Sequence, residues 1–71
     1  MTYGARPTFT KSGATSYNVV LNGRRIGRVG RVPGTAYWWA EIDRTTHVVD
    51  AGDWWASRAA AARTVVIDAI D

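Results

Sequence analysis

The sequence predicts an α+β fold: a three-stranded antiparallel sheet, a β-meander, with one C-terminal helix packed on one face, in the order β-β-β-α. Two observations carry most of that reading. Between Tyr17 and Trp39, apolar and polar residues alternate in runs punctuated by Asn22-Gly23 and Pro33-Gly34, the pattern of strands joined by short turns. After Ser57 the period changes, and an alanine-rich run places apolar residues at helical spacing.

Met1 to Ala14 reads as a flexible N-terminal arm ahead of a single domain over 15–71. It mixes Gly4, Pro7 and Gly13 with Ser and Thr and offers few apolar anchors, Tyr3 and Phe9 among them. Thr8-Phe9-Thr10 has the makings of a short edge strand, and Arg6 and Lys11 would make the arm basic. The first strand spans Ser16 to Leu21, with Tyr17, Val19 and Leu21 on one face and Asn18 and Val20 on the other. Asn22-Gly23 follows, and Asn-Gly between apolar runs is the strongest short hairpin signal because a type I′ turn needs positive φ at both central residues. The second strand, Arg24 to Val32, breaks parity: Ile26 and Val32 agree but Val29 does not. A β-bulge near Gly27 would bring Ile26 and Val29 to one face.

Pro33-Gly34 makes a turn. The third strand, Thr35 to Ile42, sets Trp38, Ala40 and Ile42 on one face and Tyr37, Trp39 and Glu41 on the other. Asp43 to Asp50 connects, with Thr46-His47-Val48-Val49 as a candidate extra strand, and Asp50 to Asp53 turns the chain. Ser57 is placed to N-cap the helix, whose inner stripe is Ala59, Ala62, Val65, Val66, Ala69 and Ile70. Trp38 and Trp39 are neighbours in a strand, so they point to opposite faces and one is left outside; alternation does not say which.

Seventy-one residues make one domain with a small core. There is no cysteine to staple it, which leaves the four tryptophans or self-association as compensation. No stretch reaches the ~20 apolar residues of a membrane span, and Met1 to Lys11 has no apolar signal region; the expectation is a soluble, cytoplasmic protein without a membrane partner. The net charge of +3 is unevenly spread. Residues 1–40 hold Arg6, Lys11, Arg24, Arg25, Arg28 and Arg31 and no acid, whereas 41–71 hold Arg44, Arg58 and Arg63 against Glu41, Asp43, Asp50, Asp53, Asp68 and Asp71. Such asymmetry suits a polyanionic partner, a solvated dipolar surface or a head-to-tail contact between copies.

Catalytic patterns are not evident. His47 is the single histidine, in a strand-like setting. Ser12, Ser16 and Ser57 lack a nucleophile elbow. Gly23, Gly27 and Gly30 lie in a strand, without the Gly-Lys-Ser/Thr of a phosphate loop. Asp50 and Asp53 read as turn and capping residues rather than metal ligands. The expectation is a protein that is not an enzyme and takes no cofactor, metal or small-molecule substrate. A binding surface remains: Arg24, Arg25, Arg28 and Arg31 with Tyr37 and Trp39. Arginine forks suit phosphate oxygens and guanine edges, and aromatic rings stack on bases. Arg25 and Arg31 share a parity, which would set them together on the uncovered sheet face.

Trp55-Ala56-Ser57-Arg58-Ala59-Ala60-Ala61 resembles the motif that begins the helix of the amino-terminal arm-binding domain of tyrosine-family integrases: an aromatic, any residue, Ser or Thr, a basic residue, two residues, then Ala. The hairpin from Tyr17 to Val29 also resembles short uncharacterised β-β-β-α proteins of actinobacteria and their phages. The likeness spans about Tyr17 to Ile70; the paired tryptophans and acidic second half depart from the integrase pattern. It implies a sheet that enters the DNA major groove, with Arg25, Arg28, Arg31 and Tyr37 as contacts, in a DNA-binding accessory protein of a phage or mobile element. The alternative expectation is a protein-interaction module, engaging a host protein or a second copy through an exposed tryptophan on the open face.

Overall fold

Asn22 and Gly23 both adopt positive φ, 55° and 77°, so the hairpin they close has the expected type I′ twist. The sheet extends outward from this hairpin on both sides. The computed structural model describes residues 6–44 and 47–70, with strands β1 (Thr8–Lys11), β2 (Ser16–Leu21), β3 (Arg24–Arg31), β4 (Trp38–Arg44) and β5 (His47–Asp50) and a helix α1 (Arg58–Ile70). Tyr3, Thr46 and the side chain of Ile70, which carried expectations above, lie outside that description.

The expectation of a three-stranded sheet is corrected. The sheet has five strands, all antiparallel, in the order β1-β2-β3-β4-β5. The helix does cover one face, and the class remains α+β. The two additional strands are the outermost, four residues each. β1 lies within the segment expected to be an arm, and Phe9 faces Val19 across the ladder. β5 lies within the expected connection, where Val49 faces Ile42. Each contributes few apolar side chains, so its place in the sheet comes from pairing with an already ordered neighbour rather than from its own alternation. Polar, short edge strands of this kind also discourage pairing with other chains.

The foreseen bulge is present. Val19 faces Gly27 while Val20 faces Arg25, so Ile26 is an extra residue on β3. Ile26 therefore packs toward the same core as Val29. That core is made of small side chains: Val19, Val29, Ala40 and Ile42 from the sheet meet Ala61, Ala62, Val65 and Val66 from the helix. Ala59 and Ala69, expected on the inner stripe, are exposed, and Ala61 takes an inner place instead.

The helix lies over β3 and β4, and Gly27 sets how closely. A Cβ there would sit 2.6 Å from Val65 Cγ1 and would also strike the Glu41 carbonyl oxygen. The helix starts as the sequence predicts. Ser57 Oγ accepts the Ala60 amide at 3.1 Å, satisfying one of the unpaired donors of the first turn. Arg44 of β4 pairs with Asp68 near the other end of the helix.

Past β5 the chain keeps to the flank of β4. The Ala51 amide donates to the Ala40 carbonyl at 3.1 Å, and Trp38 and Trp55 exchange two backbone bonds of 2.8 Å each. Trp38 and Trp55 thereby turn inward onto the core, and Trp54 is left outside.

Two stability predictions follow from this arrangement. Gly27→Ala should destabilise the fold by about 1–3 kcal/mol, because backbone and helix both crowd the added methyl. Ser57→Ala should cost about 1 kcal/mol through the lost cap. Chemical denaturation of the two variants against the parent chain measures both.

Candidate nucleic-acid interface

The bulge that seats Ile26 also decides where the arginines go. It turns Arg25 to the open face, opposite Val20, while Arg31 stays on the helix-side face beside Trp38. Arg25 and Arg31 thus lie on opposite faces, contrary to the parity expected from an unbroken strand. On the open face Arg25 Nε is 2.8 Å from Asp43 Oδ2, and Arg28 Nη2 is 2.5 Å from Glu41 Oε1. The pairs follow from register, since Arg28 lies directly opposite Glu41.

A single polar row crosses the whole sheet on this face. Thr10, Asn18, Arg28, Glu41 and Asp50 are successive partners from β1 to β5. Asn18 Nδ2 donates to Thr10 Oγ1 at 3.2 Å, a second side-chain contact in the row beside the ion pair. Trp39 is on the same face but half-buried. Its indole lies on Gly30, where an added Cβ would come within 2.5 Å of Cε2. The centre of the open face is therefore a neutralised polar ladder flanked by a seated tryptophan, rather than a basic surface.

Three of the cations without acidic partners among the described residues lie together elsewhere, at the end of the sheet where the helix begins. Phe9, Tyr17 and Trp38 form a row of rings on the helix-side face, with centroids 6.2 Å and 6.4 Å apart. Three cations lie over this row. The Arg58 guanidinium is 4.4 Å from the Phe9 centroid and 4.9 Å from that of Tyr17. Lys11 Nζ is 5.5 Å from the Tyr17 ring, and Arg31 Cζ is 5.6 Å from the Trp38 ring. All three side chains belong to exposed residues, so their charged ends meet solvent while their stems cover aromatic surface. Arg31 also donates from Nη2 to the Thr35 carbonyl at 3.2 Å, which ties it to the turn after β3.

Tyr37 and Trp54 stand at this same end. Their centroids are 6.0 Å apart with the ring planes inclined at 35°, and they are 50% and 59% exposed. Trp54, not Trp39, is thus the exposed tryptophan. Arg24 is exposed beside the Asn22-Gly23 turn at the far end of the sheet. The shallow cleft there has mixed charge: Arg24 and the pairs Arg25–Asp43 and Arg44–Asp68 line it.

Of the six residues singled out from sequence, the structure brings Arg25, Arg28 and Trp39 to the open face. It sends Arg31 to the aromatic row, leaves Tyr37 exposed on the adjoining turn, and isolates Arg24 at the hairpin. Lys11, Arg58 and Trp54 were not among them. Arg58 carried a readable signal. It is a cation in the first helical turn, which contains no acid, where the helix dipole disfavours positive charge. Its place over two rings supplies a compensating attraction.

Other chemistry-bearing residues have ordinary places. His47 is exposed at the start of β5, Asp50 Oδ1 accepts the Gly52 amide at 2.9 Å within a turn, and Ser57 is the helix cap. Among the described residues, no group of three or more His, Cys, Asp or Glu side chains could hold a metal ion, and no helix is long and apolar enough to cross a membrane. No family model, curated protein or solved structure matches the chain.

The Arg28–Glu41 pair is half-exposed, with side-chain exposures of 38% and 30%, so solvent screening limits its strength. A double-mutant cycle on Arg28→Ala and Glu41→Ala, read by chemical denaturation, should give a coupling of about 0.5–1 kcal/mol.

Proposed function

We propose that this protein is a small, non-catalytic DNA-binding module whose phosphate grip is Lys11, Arg31 and Arg58, at the helix-start end of the sheet. The observation that carries this reading is the contrast between two sets of cations. Arg25, Arg28 and Arg44 each have an acidic partner. Six cations have none among the described residues, and of these Lys11, Arg31 and Arg58 share one row of rings, whereas Arg6, Arg24 and Arg63 lie over no ring. A guanidinium already paired with a carboxylate must break that pair before it meets a phosphate. One lying on an aromatic face keeps its outward donors for an anion. The cytoplasm, where such a partner is found, is the compartment this reading assigns.

The alternative was a protein partner or second copy on the open face, anchored by Trp39. Its proposed anchor is half-buried on Gly30 beside a polar ladder rather than projecting from that face. The charge-based reading is therefore the stronger.

Affinity for a labelled DNA oligonucleotide, followed by anisotropy across a salt series, tests it. With three phosphate contacts, log K should fall against log salt with a slope of about −2 to −3. Lys11→Ala, Arg31→Ala or Arg58→Ala should each weaken binding and flatten the slope by about 0.7–0.9. Arg25→Ala and Arg28→Ala should leave the slope unchanged. A salt-independent affinity, or loss confined to the Arg25 and Arg28 variants, would overturn the assignment of the grip.

A further inference from the structure

We infer that the nucleic acid taken by this surface is single-stranded, and that Tyr37 and Trp54 form the platform on which its bases stack; the inference rests on the phosphate grip proposed above. Neither ring belongs to the main core. Trp38 and Trp55 pack against it; their backbones pair antiparallel, which leaves the preceding residues, Tyr37 and Trp54, diagonal to one another with ring centroids 6.0 Å apart. The inward partners thus hold a pair of outward rings in fixed relation.

Tyr37 is held from both sides of its own peptide. Its carbonyl accepts the Val32 amide at 2.9 Å, and its amide donates to Thr35 Oγ1 at 3.1 Å. The Thr35 carbonyl receives Arg31. The turn between β3 and β4 therefore ties together Arg31, a cation without an acidic partner among the described residues, and the exposed ring of Tyr37. That is the combination needed to hold the backbone and the base of unpaired nucleotides.

Charge separates this occupant from a greasy protein surface. Arg31, at the end of β3, donates to the turn that leads to Tyr37, and Lys11 and Arg58 lie with it over the aromatic row. The geometry also separates a single strand from a duplex. In a duplex the base faces are stacked on one another, and exposing one to a side chain requires unstacking it. The helix lies along the sheet with Ala61, Ala62, Val65 and Val66 buried, and the open face centres on paired charges. Half-exposed rings, by contrast, can meet bases that are already unpaired.

The test compares an oligothymidylate of about 15 nucleotides with a hairpin duplex of matched length, using the full chain, anisotropy and tryptophan emission. The oligothymidylate should bind at least about tenfold more tightly than the hairpin and quench the emission. Trp54→Ala and Tyr37→Ala should each lower its affinity by about fivefold to a hundredfold while preserving the salt slope. Tyr37→Phe should retain affinity, because stacking uses the ring and not the hydroxyl. Both positions are exposed, and far-ultraviolet circular dichroism checks that the variants fold.

Equal affinity for the hairpin, with Trp54→Ala silent, would overturn the single-strand inference and leave the phosphate grip standing. Failure to bind either nucleic acid would overturn both. Self-association lost in Trp54→Ala, without DNA binding, would instead assign the platform to a second copy of the chain.

Discussion

The rest of the architecture depends on how closely the helix lies on the sheet at Gly27. With no side chain at that point, Val65 settles almost against the β3 backbone, and the layer between helix and sheet is left only as deep as valine and alanine. The largest fully buried side chains are Val19, Val29 and Val65. Larger rings have no room in such a layer. Phe9, Tyr17, Trp38 and Trp55 flank the core instead, and Arg58 at the helix start covers two of them. A shallow core stabilises little by itself, since burial scales with apolar area, so the aromatic end supplies surface that the middle lacks.

Much of this was legible before any coordinates. Asn-Gly fixed the hairpin, the alternation of Trp38, Ala40 and Ile42 fixed the inner face of β4, Ser57 fixed the helix start, and the broken parity of β3 required a bulge. What escaped has identifiable causes. β1 and β5 were visible only as candidate short strands, at Thr8 to Thr10 and Thr46 to Val49, and stayed out of the expected sheet because four residues carry too little alternation; pairing defines them. The helix stripe slipped because Ala59 to Ala62 are four identical residues, which carry no directional pattern, leaving only the valines to set the phase. The arginines were misplaced because a bulge moves every residue on one side of it to the other face. The bulge that reconciles Ile26 with Val29 therefore necessarily separates Arg25 from Arg31.

Charge distribution along the chain was a poorer guide than charge distribution in space. The basic first half and acidic second half look like two separate poles. In the meander, however, β3 from the first half lies beside β4 from the second, and their opposite charges meet across the ladder as Arg25–Asp43 and Arg28–Glu41. Of the cations left over, Lys11, Arg31 and Arg58 have rings rather than carboxylates as neighbours in space. The candidate site was hidden for that reason: it draws on β1, β3 and the first turn of the helix, three places that only the folded sheet brings to one end.

The strand order of the sheet equals the order of the strands in the chain. Each new pairing consequently closes only a short stretch of backbone, with little loop entropy lost at each step. Only the helix must return over strands it does not adjoin in sequence. Topologies dominated by nearby pairings reach the native state quickly for their size. A five-stranded sheet assembled this way can zip outward from the Asn22-Gly23 turn, its two polar edges added last, so that the apolar pairs at its centre are covered before an unpaired edge has long been available to another chain.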